Sequence, residues 1–251
     1  MREPPSLTGW NSASHSEHVN DTVAHRLQRI RHRIQEACEV SGRSSDEIVL
    51  VGACKRQPLD RLRTAHAAGL RDFGENLVQE ALEHRAELPP EINWHFIGPL
   101  QSNKANKAVT TFRWIHSIDR AKIAATLERA AERQNIRLHG LLEINLGNEP
   151  SKHGFDPRSL SPQVAEFADF RYLRIEGLMA IPPFETEPER SRSWFRRLRE
   201  VRDKLFSEAA WSDRPGYLSM GMSADFGIAI EEGATHVRVG TLLFGHRDPR
   251  P

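Results

Sequence analysis

Cysteine is scarce in this sequence, with only Cys38 and Cys54 among 251 residues, and the two form no C-x-x-C pair. A disulfide framework and a cysteine-rich zinc knuckle are therefore excluded. No apolar run approaches the roughly 18 residues that a membrane span requires. A dominant charge is also missing, because 35 Lys+Arg and 34 Asp+Glu give a net charge of +1. Such a chain has no global field for nucleic acid or an anionic membrane, so we expect a cytoplasmic protein with a local site.

The first residues differ in pattern from the rest of the chain. Residues 1–18 contain Pro, Ser and Asn without periodicity and lack the apolar core of a signal peptide, which predicts a disordered lead-in. Residues 19–251 are expected to form one domain. Its first apolar residues recur every three or four positions, at Val19, Val23, Leu27, Ile30, Ile34 and Cys38. This spacing predicts a helix that ends at Gly42.

Eight short apolar runs follow, separated by amphipathic helical patterns. The runs are residues 48–54, 70–73, 92–97, 112–118, 138–144, 173–181, 217–220 and 236–239. Strand–helix alternation favours a parallel sheet, since parallel neighbours need crossover connections. Eight units predict an α/β fold, a closed (β/α)₈ barrel preceded by one extra helix. The alternative is a doubly wound open sheet, but the G-x-G-x-x-G typical of that fold does not follow an early strand.

Lys55 directly follows the first predicted strand, at the end where barrels of this type build their sites. A lysine emerging from a barrel interior is desolvated, and this favours the neutral, nucleophilic amine that a Schiff base requires. A lysine at a strand end can equally extend its ammonium group into solvent. Position alone leaves both interpretations open.

The last two strands end in small and hydroxylated residues. Ser219 to Ser223 follow the seventh run, and Gly240-Thr241 follow the eighth, where phosphate sites recur in this architecture. Arg238 lies between two valines, so alternation places it on the opposite face, inside the barrel, where it needs an acceptor. A lysine amine, a phosphate cradle and an arginine for a ring nitrogen together indicate pyridoxal 5′-phosphate (PLP).

At this point the sequence resembles the pyridoxal phosphate homeostasis protein family, single-domain barrels related to the N-terminal domain of alanine racemase. The resemblance extends from about residue 19 to residue 247. The segments that carry it are CKRQP at 54–58, FGEN at 73–76, WHFIGPLQSNK at 94–104, HSID at 116–119, SKHG at 151–154, GLMAIP at 177–182, SMGMS at 219–223 and RVGT at 238–241. So many segments that match the family, in the same order, are not explained by chance.

The resemblance implies PLP held covalently at Lys55, with Arg238 facing the ring nitrogen and Asn76 lining the ring. It places five residues around the phosphate: Ser219, Met222, Ser223, Gly240 and Thr241. Members of the family are associated with vitamin B6 and amino-acid homeostasis, without a firm catalytic activity. Cys54 is a departure, since the family usually has serine before the lysine. Alternation turns Cys54 away from Lys55, so we expect only a packing change.

Two interpretations of function remain, a non-catalytic PLP carrier and an amino-acid racemase of the alanine racemase type. A racemase needs a second base, which in the alanine racemase family is a tyrosine from a C-terminal β-domain. We expect that domain to be missing, because the chain ends at Pro251. The only tyrosines, Tyr172 and Tyr217, lie near predicted strand starts. The residues therefore favour a monomeric carrier whose partners are PLP and PLP-dependent apo-enzymes, without nucleic acid or membrane.

A metal-dependent hydrolase is a third class of protein that uses this barrel. His95 and His116 lie within predicted strands, but no H-x-H ends the first strand. His95, between two aromatic residues, is expected to be a hydrogen-bonded core histidine.

Overall fold

The computed structural model describes residues 22–149, 153–183 and 185–245. Within these residues, eight parallel strands form a closed barrel in which each strand pairs with the next and the eighth pairs with the first. The predicted (β/α)₈ barrel with an extra N-terminal helix is confirmed. The predicted lead-in, residues 1–18, and Val19 lie outside the described residues.

The strands lie where the apolar runs predicted them. They are β1 Val49–Ala53, β2 Asp72–Glu75, β3 Asn93–Phe96, β4 Trp114–Ile118, β5 Leu138–Glu143, β6 Leu173–Met179, β7 Tyr217–Ser219 and β8 His236–Val239. Most boundaries differ from the predicted runs by one or two residues, and two of these differences bear on the site. β1 ends before Cys54, so Lys55 belongs to the turn that follows. β2 extends to Glu75, because Gly74 and Glu75 are buried strand residues that an apolar pattern does not reveal.

The helices surround the barrel. They are α1 Val23–Ser41, α2 Leu59–Ala67, α3 Val78–Glu87, α4 Ala105–Thr111, α5 Ala121–Gln134, α6 Leu160–Val164, α7 Ser191–Phe206, α8 Phe226–Glu231 and α9 Thr241–Phe244. Thr22 caps α1, and Gly42 ends it at φ +67°, as predicted. The apolar face of α1, which includes Leu27 and Ile30, is buried, and this extra helix packs on α8 and α9. Among the helices described here, none has the length and apolar character to cross a membrane.

β6 and β7 approach each other closely at Gly177. A Cβ atom added at Gly177 would lie 2.0 Å from the carbonyl oxygen of Tyr217 and 2.7 Å from its backbone nitrogen. These are backbone atoms of a paired strand, and unlike a side chain they cannot rotate to make room for the added atom. The position therefore requires glycine.

We predict that Gly177→Ala lowers the free energy of unfolding by about 2–3 kcal/mol, because the methyl group forces β6 and β7 apart. Urea denaturation measures the change. Gly227→Ala in α8 is the matched control, since the nearest atom to its added Cβ is the Ala37 Cβ at 4.0 Å. That variant should be unchanged or more stable by up to about 1 kcal/mol. Equal stability of the two variants would contradict the close approach.

Candidate functional site

Lys55 lies at the carboxyl end of the barrel, in the turn after β1. Ala53 pairs with Gly74 of β2, and Gly52 pairs with Val239 of β8, so the turn emerges between these two strands. Arg56 adopts φ +58°, which reverses the chain directly after the lysine. The Lys55 side chain is half-buried, and it makes no hydrogen bond or ion pair with any residue the structure describes. Its amine is therefore not committed to a carboxylate of the fold.

The loops after β7 and β8 are joined to each other. The Leu242 backbone N–H donates to Ser223 Oγ over 3.3 Å, which brings Ser223 beside Gly240 and Thr241. A Cβ at Gly240 would lie 3.4 Å from the Cβ of Ala53, so this loop touches the end of β1. The three small polar residues predicted around a phosphate thus lie together, next to the turn that carries Lys55.

Met222 occupies the rim of this loop. Its side chain is 41% exposed, and its backbone N–H donates to Asp225 Oδ1 over 2.7 Å. The preceding Gly221 has φ +87°, and a Cβ there would lie 2.5 Å from the Ala229 Cβ. The loop is consequently held close to α8, and Met222 projects from it.

Arg238 points into the barrel, as its flanking valines predicted. It is 5% exposed, and its guanidinium donates from Nη1 to Ser219 Oγ over 2.5 Å and from Nη2 to the Ala180 carbonyl over 3.0 Å. Burial lowers the pKa of Arg238 to about 10, a shift that the charges of Glu143 and Asp225 oppose. The side chain remains cationic at neutral pH. An arginine has five N–H donors, so these two described bonds leave donors for a ligand.

Ser219 lies behind Arg238 rather than beside Ser223. It is fully buried, and its Oγ is 2.9 Å from His116 Nδ1 as well as bonded to the guanidinium. Its hydroxyl is therefore engaged by two protein groups. The structure brings Ser223, Gly240 and Thr241 together, whereas Ser219 lies deeper in the barrel.

Asn76 follows β2 and is anchored from two sides. Gly98 approaches it so closely that a Cβ there would lie 2.5 Å from the Asn76 carbonyl oxygen. The preceding Glu75 is fully buried, with Oε1 2.8 Å from His84 Nδ1, and Oε2 has no partner in the described part of the chain. Burial raises the pKa of Glu75, and the hydrogen bond to Glu75 raises the pKa of His84.

Two acidic residues at this end of the barrel were not predicted from the sequence as site residues. Glu143 ends β5, and its pKa is raised by burial and by the neighbouring Asp119, against the opposing charge of Arg238. Asp119 is 7% exposed, and its Oδ1 has no partner among the residues described. A cavity of about 490 Å³ lies beside it, with Asn76 and Lys104 also in its wall. The available signal was a glutamate inside the apolar run 138–144.

His95 and the two tyrosines lie towards the opposite, amino-terminal side of the barrel. His95 is fully buried, with both ring nitrogens hydrogen-bonded, to Asp72 and to His116, which confirms the predicted core histidine. In the described ranges, no group of three or more His, Cys, Asp or Glu is arranged to hold a metal ion. Tyr217 begins β7 and Tyr172 immediately precedes β6, so both lie at the end of the barrel away from Lys55.

The chain is similar to curated proteins over most of its length. The family model described as alanine racemase, N-terminal domain, matches residues 25–248. The pyridoxal phosphate homeostasis protein of Aquifex aeolicus (strain VF5) is 43% identical over 223 residues, which is 88% of this chain and 97% of that protein. The protein of the same name from Pseudomonas aeruginosa is 43% identical over 228 residues, 90% of this chain and 96% of its own.

Solved structures show the same similarity. PipY of Synechococcus elongatus PCC7942 without PLP is 37% identical, with a TM-score of 0.80 over 89% of this chain and 100% of that chain. The structure of PipY with PLP bound is 35% identical, with a TM-score of 0.77 over the same shares, 89% and 100%.

We predict that the Glu75–His84 pair beneath Asn76 makes stability depend on pH. A histidine whose pKa is raised by folding stabilises fully below its unfolded pKa, about 6.5, and this contribution is lost as pH rises through the folded pKa. Compared with wild type, His84→Gln should therefore be less stable by about 1–2 kcal/mol near pH 6, with a smaller difference near pH 9. Urea denaturation at both values measures it.

His32→Gln is the control for that experiment. His32 faces Glu36 with side chains that are 72% and 58% exposed, so the pair should contribute less than about 0.5 kcal/mol at either pH. A His84→Gln difference that is the same near pH 6 and near pH 9 would argue against a charged pair.

Proposed function

The chain belongs to the pyridoxal phosphate homeostasis protein family, and we propose that it binds PLP as a Schiff base on Lys55 and acts in intracellular vitamin B6 and amino-acid homeostasis. In this proposal the protein is a carrier without catalytic activity. PLP-dependent apo-enzymes are its proposed recipients. The PLP-bound structure of PipY, 35% identical to this chain, supports the choice of ligand.

The position of the Lys55 amine carries the proposal. It lies at the carboxyl end of the barrel and has no hydrogen-bonding or ionic partner within the described ranges. Schiff-base formation requires a neutral amine with an open approach, and an ion pair with a carboxylate would hold the amine protonated. On either side, Asn76 follows β2 and Arg238 lies on β8, and both belong to the proposed site.

The residues present fit the phosphate and ring of PLP. Ser223 Oγ accepts from the Leu242 N–H, which leaves its own O–H free to donate to a phosphate oxygen. Thr241 is exposed and offers a second hydroxyl, and Gly240 lets the backbone approach without a side chain. We propose that Met222 closes the rim of this cradle. In this proposal Ser219 contributes to the site indirectly, by accepting a hydrogen bond from Arg238.

Arg238 favours storage of the cofactor over catalysis with it. When bound, PLP supplies an aldehyde that joins reversibly to a primary amine and a ring that, if protonated, withdraws electrons. A buried cation at the ring nitrogen opposes that protonation, because two like charges in a low-dielectric site repel. The burial of Arg238 at 5% exposure makes this effect strong. Transamination and decarboxylation therefore become harder, which leaves racemisation or no catalysis.

The alternative is an amino-acid racemase, which needs a second base on the opposite face of the cofactor. Both tyrosines of the sequence lie at the amino-terminal end of the barrel, away from Lys55. We predict that protein loaded with PLP gives no racemisation of L-alanine or L-serine above that of free PLP. Chiral chromatography of the amino acid measures turnover. A rate well above free PLP that disappears in Lys55→Ala would instead establish the racemase.

The proposal also includes a cytoplasmic location and a monomeric state. Two free, buried thiols, Cys38 and Cys54, are compatible with a reducing compartment. In the described residues, the large exposed apolar side chains are few and lie on separate elements: Val40, Leu77, Ile181 and Met222. Such single residues do not require a partner subunit.

We predict that Lys55→Ala removes the visible absorbance that wild-type protein acquires with PLP, because the imine chromophore needs this amine. Borohydride reduction followed by peptide mapping should place the label on Lys55. Lys104→Ala is the matched control, since Lys104 is an exposed lysine at the same end of the barrel, in the wall of the neighbouring cavity. It should retain absorbance and label. A label on another lysine, or colourless wild-type protein, refutes the assignment.

A further inference from the structure

A continuous row of hydrogen-bonded side chains crosses the barrel interior. We call it the interior chain, and its members are Asp72, His95, His116, Ser219 and Arg238. His95 Nε2 lies 3.0 Å from Asp72 Oδ1, and His95 Nδ1 lies 3.0 Å from His116 Nε2. Beyond it, His116 Nδ1 lies 2.9 Å from Ser219 Oγ, which accepts from the Arg238 guanidinium over 2.5 Å. Five strands each contribute one member, so the row joins the amino-terminal end of the barrel to the proposed cofactor site.

The middle of the interior chain is isolated from water. His95, His116 and Ser219 are fully buried, whereas the Asp72 side chain at the far end is 24% exposed. Burial lowers the pKa of His116 well below its ordinary value, and the nearby His95, His236 and Arg238 lower it further. His116 is consequently neutral, with one nitrogen that donates and one that accepts.

Only one arrangement of protons satisfies every bond of the interior chain when both histidines are neutral. The Asp72 carboxylate can only accept, so His95 donates from Nε2 and accepts at Nδ1. His116 must then donate to His95 from Nε2 and accept at Nδ1. The Ser219 hydroxyl donates its proton to His116, and its oxygen is left to accept from Arg238. All donors thus point the same way, from the cation towards the carboxylate.

This order determines how the guanidinium of Arg238 is held. One of its two described bonds goes to the Ala180 carbonyl, which is fixed by the backbone. The other goes to a serine hydroxyl, which rotates freely unless a second partner fixes it. His116 is that partner. The plane of the guanidinium therefore depends on an acceptor one residue further along the interior chain.

We propose that His116 is a positioning residue, which orients Arg238 through Ser219 and thereby sets the ring of the bound cofactor. The inference rests on the proposed PLP site. In this proposal His116 acts through Ser219 and Arg238, the two residues that connect it to the site.

A matched pair of variants separates this role from simple packing. His116 also contacts the rings of Trp114 and His236, at centroid distances of 6.2 and 5.6 Å, so any replacement loses packing. His116→Leu and His116→Asn remove the ring equally and have similar size. Only the asparagine offers an oxygen to the Ser219 hydroxyl, at the position of the His116 Nδ1.

The expected result is a difference between the two variants in the state of the cofactor. His116→Leu should release PLP about tenfold faster on dialysis and shift the absorbance and circular dichroism of the bound chromophore. His116→Asn should stay close to wild type in both, although urea denaturation finds the two equally destabilised. Identical release rates and spectra for the two variants would overturn the proposal.

Ser219→Ala tests the same link if the leucine variant does not fold. It should speed release as His116→Leu does, and wild-type retention would overturn the proposal. Comparing pyridoxal, which lacks the phosphate, with PLP tests whether Ser219 contacts the phosphate directly. If Ser219 acts through Arg238, the variant weakens the binding of pyridoxal and PLP by the same factor. If Ser219 instead holds the phosphate, only PLP binding weakens and the positioning role fails.

Measurements on the PLP-free protein keep this inference separate from the proposed function. Long-range ¹⁵N–¹H spectra should show His116 as a neutral tautomer protonated on Nε2. A His116 tautomer protonated on Nδ1 contradicts the proton order and the proposal with it. Wild-type protein that shows the Nε2–H tautomer but binds no PLP would refute the proposed function, and the interior chain would then have no cofactor to position.

Discussion

The burial of one guanidinium inside a closed barrel is the constraint on which the proposed site depends. Removing a cation from water costs several kcal/mol, and the described direct acceptors of Arg238 are a hydroxyl and a carbonyl, not a carboxylate. Its pKa falls only to about 10, so the charge persists. In the proposed site, a ligand acceptor completes a cation that is held this way with unused donors. The fold would then provide a place for an electron-rich ligand atom before any ligand arrives.

The closed sheet explains why a lysine meets that cation. β1 is hydrogen-bonded to β8 on one side and to β2 on the other, so the ends of all three strands lie side by side. Residues that are far apart in sequence, such as Lys55 and Arg238, therefore occupy neighbouring positions around one ring. In the proposed site their chemistry is complementary, because the amine would form an imine with an aldehyde while the arginine would oppose ring protonation. Such an arrangement would favour reversible retention of PLP over reactions that need an electron sink.

Local sequence patterns predicted the strands around this site, but not the contacts between residues that are distant in sequence. Apolar runs located all eight strands, Gly42 ended the first helix, and the valines beside Arg238 gave its direction, because each signal is contained in a few adjacent residues. The extension of β2 to Glu75 was missed, since a buried glycine and a buried glutamate look polar or neutral in sequence. The partners of Ser219 were missed for another reason. Strand alternation states which face a residue occupies, but His116 lies 103 positions away, and only barrel closure brings the two together.

A polar interior in a barrel of this size needs a reason beyond stability. Well-packed apolar residues would fill the same space without the desolvation cost of two histidines and a serine, and replacing buried polar groups in this way is often neutral or stabilising. Apolar residues, however, cannot orient a hydrogen-bonding group. When both histidines are neutral, the row from Arg238 to the partly exposed Asp72 carboxylate allows one proton order only, and that order fixes a hydroxyl that would otherwise rotate. Since a partly satisfied network is worse than an apolar core, the members of the interior chain depend on one another. If the proposed positioning role of His116 holds, the amino-terminal half of the barrel serves the site at the other end by holding one cation in one orientation.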